Sequence, residues 1–273
     1  MSTLDRLEVV VAGMGEIAVA VSGGVDSLTL ATVVHRRPGS RVTMFHATSP
    51  AVPPEASART RALAEREGWV LVVIDAHEFE RAQYRSNPVD RCFHCKTSLY
   101  GAIRPATAAQ IVSGTNLDDL GEYRPGLDAA RDHQVRHPFV EAEVDKAGVR
   151  ALARDLGLGD IAELPSAPCL SSRIETGIAI DPAMLACVHA VERMVGSALS
   201  PRTVRCRVRA RGAVIELDRD ALAQLDAGRR SALSEEIEAL FAGSGFELEV
   251  SFAPYRTGSA FLIKELKPAS ATA

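Results

Sequence analysis

Short apolar runs alternate with stretches of helical period over roughly the first 158 residues. The runs at 17–21, 42–47, 70–74 and 110–113 predict strands, and the segments 27–35, 55–67 and 96–103 predict the helices between them. Strand and helix in alternation predict an α/β domain with a mostly parallel sheet. Crossovers of that kind bring ligands to the carboxyl ends of the strands. Val149, Leu152, Ala153 and Leu156 stand at helical spacing over 145–156, with Gly157 as a stop. A Pro- and Ser-containing stretch follows at 164–176. Beyond it the period changes: a helix over 182–195 with Asp181 as N-cap and Pro182 at its first position, a hairpin of 203–208 and 213–217, a helix over 231–241 and a strand over 247–252. The expected organisation is an α/β domain over 1–163, a connector over 164–180, a smaller α+β domain over 181–267 and a tail over 268–273.

Composition supports a folded chain: of 273 residues, 47% are hydrophobic and 24% charged, which argues against disordered, collagenous or disulfide-scaffold chains. A formal charge of −4 supplies no cationic field, so nucleic acid is not an expected partner, while small anions remain acceptable ligands. The apolar stretches near 9–12 and 17–21 are interrupted by Gly13, Gly15 and Glu16, so no membrane partner is expected either. Asp5 and Glu8 stand where a cationic leader would be, and the expected location is cytoplasmic. Five cysteines, two of them in a C-x-x-C pair, fit a reducing compartment and metal or sulfur chemistry better than a disulfide framework.

The first strand runs into Ser22-Gly23-Gly24-Val25-Asp26-Ser27 and then a helix. Two glycines let the backbone turn sharply and bring N–H groups to an anion, and the following helix adds its positive end. Ser22 and Ser27 can donate hydroxyls. Asp26 would repel a bare phosphate, which points to an intervening Mg²⁺. No lysine closes the turn, so it is not a Walker A loop. A plain capped turn is the alternative for Gly-Gly alone, but the full string S-G-G-V-D-S resembles the pyrophosphatase loop of the adenine-nucleotide α-hydrolase-like (PP-loop) superfamily. That resemblance implies ATP as cofactor, cleaved to AMP and pyrophosphate, with adenylation of a substrate oxygen. It also makes 1–163 the ATP-binding domain.

Cys92 and Cys95 lie one turn apart at the start of a predicted helix, followed by Lys96, and a third thiol, Cys169, stands in the connector within P-C-L-S-S-R. Three thiols leave a tetrahedral zinc site one ligand short, and His94 is awkwardly placed to complete it. A four-iron cluster, in contrast, can use an open iron. Cys187 and Cys206 are expected to serve packing.

The strings S-G-G-V-D-S, N-P-x-x-R-C-x-x-C-K, G-T-N-L-D-D, Y-R-P-G, H-P-F-V-E and P-C-L-S-S-R-I follow in this order, with Y-R-T-G-S near the end. Together they resemble the ATP-dependent sulfurtransferases of the LarE family over nearly the whole chain. The resemblance implies adenylation of pyridinium biscarboxylic acid mononucleotide with ATP and Mg²⁺, and displacement of AMP by sulfur to give a thiocarboxylate, on the way to a nickel-pincer nucleotide cofactor. Members with only the cysteine matching Cys169 sacrifice it; members with the C-x-x-C as well hold a [4Fe–4S] cluster. The expectation here is therefore a cluster on Cys92, Cys95 and Cys169, a sulfide donor as partner, and a homo-oligomer.

Lys96 is expected to neutralise phosphate or developing charge, the alternative being a solvated helix start. Ala47, at the end of the second strand, is expected beside adenine, and Gly114 and Asn116, after the fourth, beside the nucleotide. Asp118 and Asp119 are read equally as Mg²⁺ or water carboxylates and as a helix cap. Arg207 and Arg209, with Arg205 extending the row, share one face of a strand. By resemblance Arg207 and Arg209 bind the substrate's phosphate or carboxylate, and Arg256 serves similarly. The rival functions are a PP-loop tRNA thiolase, an amidating NAD-synthetase-like ligase, and a nucleotide sensor without turnover.

Overall fold

The computed structural model describes residues 1–121, 124–166 and 168–262. The expected tail and Tyr123 of the Y-R-P-G string lie outside them. The first unit comprises residues 1–85 and 90–169. Its elements in chain order are α1 (Thr3–Ala12), β1 (Glu16–Ala20), α2 (Val25–Arg36), β2 (Arg41–Thr48), α3 (Pro54–Glu67), β3 (Leu71–Asp75), α4 (Ala82–Arg85), α5 (Arg91–Ile103), β4 (Gln110–Ser113), α6 (Pro125–Asp132), α7 (Pro138–Glu141), α8 (Lys146–Asp155) and α9 (Gly159–Ala162).

The four strands form one parallel sheet in the order β3-β2-β1-β4. From Ile17 on, central β1 reads as an unbroken apolar run because both its faces are covered there. Ile17 and Val19 face a core shared with α1, α2 and α8 through Leu7, Val11, Leu28, Val149 and Leu152. Ala18 and Ala20 face a second core with Phe45, Tyr100, Ile103 and Ala130, from β2, α5 and α6. The four predicted strands and the helices between them are present. Helix α1 is additional: it carries a capping box between Ser2 and Asp5 and buries only Leu7 and Val11, so its apolar period is weak.

The second unit comprises residues 86–89 and the described residues from 170 onward. It contains α10 (Pro182–Leu199), β5 (Val204–Arg209), β6 (Gly212–Leu217), α11 (Arg219–Ala223), α12 (Ala227–Gly243) and β7 (Val250–Pro254). β5 and β6 form the predicted antiparallel hairpin, and β7 adds parallel to β6. Asp181 caps α10 by accepting from Ala183 and Met184 N–H, with Pro182 in the first turn. Cys187 and Cys206 are both buried in this unit. Among the described residues, no helix is long and apolar enough to cross a membrane.

Candidate active site

The glycine turn links β1 to α2 at the carboxyl edge of the sheet. Gly23 adopts φ +81, and a Cβ there would lie 2.6 Å from the Ala56 carbonyl oxygen, so the position demands glycine twice over. Gly24 is the N-cap of α2 in extended conformation, without a side-chain cap, which leaves first-turn N–H groups available to an anion. Ser22 N–H donates to Ser27 Oγ at 3.0 Å, and the two hydroxyls stand 3.1 Å apart.

Two further elements brace this turn. Arg59 of α3 donates to the Gly23 carbonyl at 2.6 Å. His46 of β2 is fully buried, with Nδ1 2.8 Å from the Val21 carbonyl and Nε2 2.8 Å from Ser57 Oγ. A carbonyl can only accept, so Nδ1 carries the proton and Nε2 accepts from Ser57. Burial holds the His46 pKa below its usual value. Ala47 lies one residue further along β2, opposite Ile74 of β3 and half-buried near the strand's end.

The segment after β4 closes on the turn from the other side. A Cβ on Gly114 would stand 2.8 Å from both the Asp26 carbonyl carbon and the Ser27 nitrogen, so the first residue of G-T-N is glycine because two backbones touch there. Asn116 donates from Nδ2 to Asp26 Oδ1 at 3.1 Å, and Lys146 Nζ lies 2.5 Å from Asp26 Oδ2. Asp118 accepts from Lys146 N–H at 3.2 Å, and Asp119 accepts from Asn116 N–H at 3.1 Å while pairing with Arg124 at 2.8 Å. Both aspartates thus organise this turn and the start of α8.

The C-x-x-C pair opens α5, at its second and fifth residues. Cys92 is exposed as a residue, yet its thiol stands among protein atoms, and burial followed by the charge of Cys169 raises its pKa. Cys95 is pushed up to about 12, by burial and then by Cys169. Both thiols thus carry the influence of Cys169, the last residue of this unit. Lys96 has its pKa raised, chiefly by Tyr100 and against burial, with all three thiols adding to it, so the ammonium is retained. Its Nζ stands 5.7 Å from the Tyr100 ring centre. A Cβ on Gly126 would approach Lys96 Cγ to 3.2 Å and Cys92 Cβ to 3.9 Å, so the glycine of Y-R-P-G lets α6 press on this turn. His94 turns to Asp90, at 3.7 Å. Among the described residues, no three His, Cys, Asp or Glu side chains are gathered closely enough to hold a single metal ion.

His137 stands beside the end of β4. Its Nδ1 lies 2.9 Å from Ser113 Oγ, the last residue of β4, and burial, then Lys96, lowers its pKa while Glu141 and Asp119 oppose. Hydrogen bonds thus run from Asp26 to Asn116 and on to Asp119. Lys146, His46 and Arg59 escaped the sequence reading, since nothing in their local strings tells which distant group they meet.

In the second unit the arginine row is occupied. Glu216, opposite Arg205 in the β5–β6 register, accepts from Arg207 Nε at 3.1 Å, Arg209 Nη2 at 3.1 Å and Ser259 Oγ at 2.5 Å. Arg207 also donates to the Ser172 and Arg256 carbonyls. Arg207 and Glu216 are buried, whereas Arg256 is exposed.

No protein-family model matches the chain. An uncharacterised protein of Synechocystis sp. is 33% identical over 180 residues, covering 64% of this chain and 67% of that protein. One of Methanocaldococcus jannaschii is 25% identical over 209 residues, covering 75% and 79%. The pyridinium-3,5-bisthiocarboxylic acid mononucleotide synthase of Lactiplantibacillus plantarum is 31% identical over 206 residues, covering 74% of each chain. With that reach across both proteins, and with a glycine turn, a C-x-x-C helix and a third thiol gathered in one parallel-sheet unit, the chain belongs to the LarE family.

Proposed function

We propose that this protein is an ATP-dependent sulfurtransferase that adenylates a carboxylate of pyridinium biscarboxylic acid mononucleotide and replaces AMP by sulfur, in the assembly of a nickel-pincer cofactor. The observation that carries the reading is the glycine turn, held against Gly114 and Asn116, in one unit with Lys96 and the three thiols. A carboxylate is a poor electrophile because its oxygen leaves as an unstabilised anion; as an acyl-adenylate it loses AMP instead. The turn at Ser22, Gly23, Gly24 and Ser27 is suited to the phosphates, with Asp26 holding Mg²⁺ and Ala47, Gly114 and Asn116 beside the nucleotide. Lys96, kept protonated, offsets the negative charge that builds on the carbonyl oxygen during sulfur attack.

Cys92, Cys95 and Cys169 would hold a [4Fe–4S] cluster. The chemistry of the donors fits: they are three soft thiol ligands within one unit, and Cys169 acts on the ionisation of the other two. A cluster spreads its thiolates over separate irons and so accepts a wider spacing than one ion does. When bound, it would supply sulfide from an iron that no thiol of this chain ligates.

For the substrate's anionic groups, Arg256 offers an exposed guanidinium. Arg207 and Arg209 support it by fixing the Arg256 carbonyl and, with Glu216, Ser259.

The test is anaerobic reconstitution with iron and sulfide, followed by pyrophosphate release and mass detection of thiocarboxylate. Catalytic turnover, with iron lost in Cys92→Ser, Cys95→Ser and Cys169→Ser, is the expected result. Colourless protein performing one turnover while Cys169 loses sulfur would overturn the cluster and keep the sulfur transfer. No pyrophosphate release with the pyridinium nucleotide would overturn the whole reading.

A further inference from the structure

The glycine turn has a charge deficit. Between Ser22 and Ser27 it contains no Lys or Arg, and its one ionised side chain, Asp26, is negative. Backbone dipoles and a divalent ion offset part of a triphosphate's charge, but such sites commonly add a lysine within the loop. Here a lysine reaches the turn from 120 residues away. Lys146 Nζ stands 2.5 Å from Asp26 Oδ2, and its side chain is 33% exposed, so the ammonium is at the turn on a side chain partly open to solvent.

The backbone beneath that ammonium is fixed. Lys146 N–H donates to Asp118, Leu117 N–H donates to the Val144 carbonyl at 3.0 Å, and Asp145 caps α8 by accepting from Gly148 N–H at 2.7 Å. Val149, Leu152 and Ala153 then lock α8 into the core it shares with α2. Only the four-carbon stem is left to move, which is the freedom a lysine point charge uses.

We infer that Lys146 is the cation for the nucleotide's phosphate chain, taking the place of the lysine this turn lacks. The inference rests on the adenylation reading above and extends it to a residue outside the motif strings that carry the family resemblance. Asp26 holds the ammonium at the turn and would yield it to a divalent ion, a harder partner for a carboxylate, arriving with the nucleotide. The ammonium then turns to the phosphate oxygens, and charge stays balanced through the exchange. Asp118 keeps its role as the anchor of the Lys146 backbone.

The experiment is calorimetric titration of the full-length protein with α,β-methylene-ATP and Mg²⁺, with pyrophosphate and Mg²⁺, and with AMP. For Lys146→Ala, the analogue and pyrophosphate are expected to bind roughly 10- to 100-fold more weakly, the loss of one charge-assisted contact, with AMP within about twofold of wild type. Lys146→Arg recovers most of the affinity and Lys146→Gln does not, and melting temperatures confirm that each variant folds. Equal weakening of AMP and the analogue, or no weakening of either, would overturn the inference. Wild-type protein that does not bind the analogue would instead remove the adenylation reading itself, before any variant is made.

Discussion

Gly114→Ala isolates the contact between the β4 edge and the phosphate turn. Gly114 is outside the left-handed region, so alanine meets no dihedral penalty; the demand is for space alone. The added Cβ would stand 2.8 Å from the Asp26 carbonyl carbon, 2.8 Å from Ser27 N and 3.0 Å from the Asp26 oxygen. Comfortable carbon contacts begin near 3.5 Å, so the two backbones must separate by roughly 0.7 Å. Backbone cannot rotate aside as a side chain can, and β4 is tied to β1 through the Ala20 and Ser113 pairing. Overpacking of this kind costs about 1–3 kcal/mol, and each kcal/mol lowers the melting temperature by roughly 2–4 °C in a chain of this size. Function should suffer more than stability, because the displaced atoms belong to the first turn of α2 and to the Asn116–Asp26 hydrogen bond. Misplacement approaching 1 Å costs up to about 100-fold in rate, so ATP–pyrophosphate exchange in the presence of substrate is expected to fall by roughly 10- to 100-fold. The control is Gly196→Ala in α10, where a Cβ meets nothing within 4 Å and helix propensity predicts a gain of about 1 kcal/mol. A Gly114→Ala protein with wild-type melting temperature and exchange rate would refute the reasoning.

Glu216→Ala leaves two guanidinium groups without their shared carboxylate, one of them buried, and is expected to cost about 3–5 kcal/mol in urea unfolding of the second unit. Arg207→Ala should cost a similar amount, and the double variant less than the sum, since both remove one pair. His46 and His137 have pKa values below the ordinary 6.5, chiefly from burial. The unfolded chain therefore binds more protons than the folded one just below that pH, so their stabilisation is fully present above 6.5 and is lost as pH falls towards the folded values. Urea titrations across mildly acidic pH should show this slope, and His137→Asn should flatten part of it. His46→Ala also strips a hydrogen bond from both the Val21 carbonyl and Ser57, and should destabilise by about 1–3 kcal/mol.

The parallel sheet was legible in sequence because a strand buried on both faces must be apolar at every position, as 17–21 is. Helix α1 was not: Val9 is 65% exposed, so its valine run breaks the helical period that burial at Leu7 and Val11 alone would have shown. Predicted strand 247–252 shifts to Val250–Pro254 because pairing of Ala213 with Val250, rather than local propensity, sets where β7 begins.

The site divides along the same line between local and distant information. The glycines of the turn, of G-T-N and of Y-R-P-G are local demands on space, and a string reports them. Charge partners are not local. The alternation of Arg205, Arg207 and Arg209 gave their shared face correctly, yet Glu216 reaches Arg207 only through the diagonal of the β5–β6 register, which no spacing within β5 contains. Asp26 offers the same lesson from the other side. Its sequence context asks only for a compensating cation, and the fold supplies Lys146 by running α8 into the core against α2, so that a residue without a motif of its own arrives at the most charged point of the turn. In this protein the positions that shape the backbone are written where they act, while the charges that balance it are written elsewhere in the chain and become partners only when the core closes.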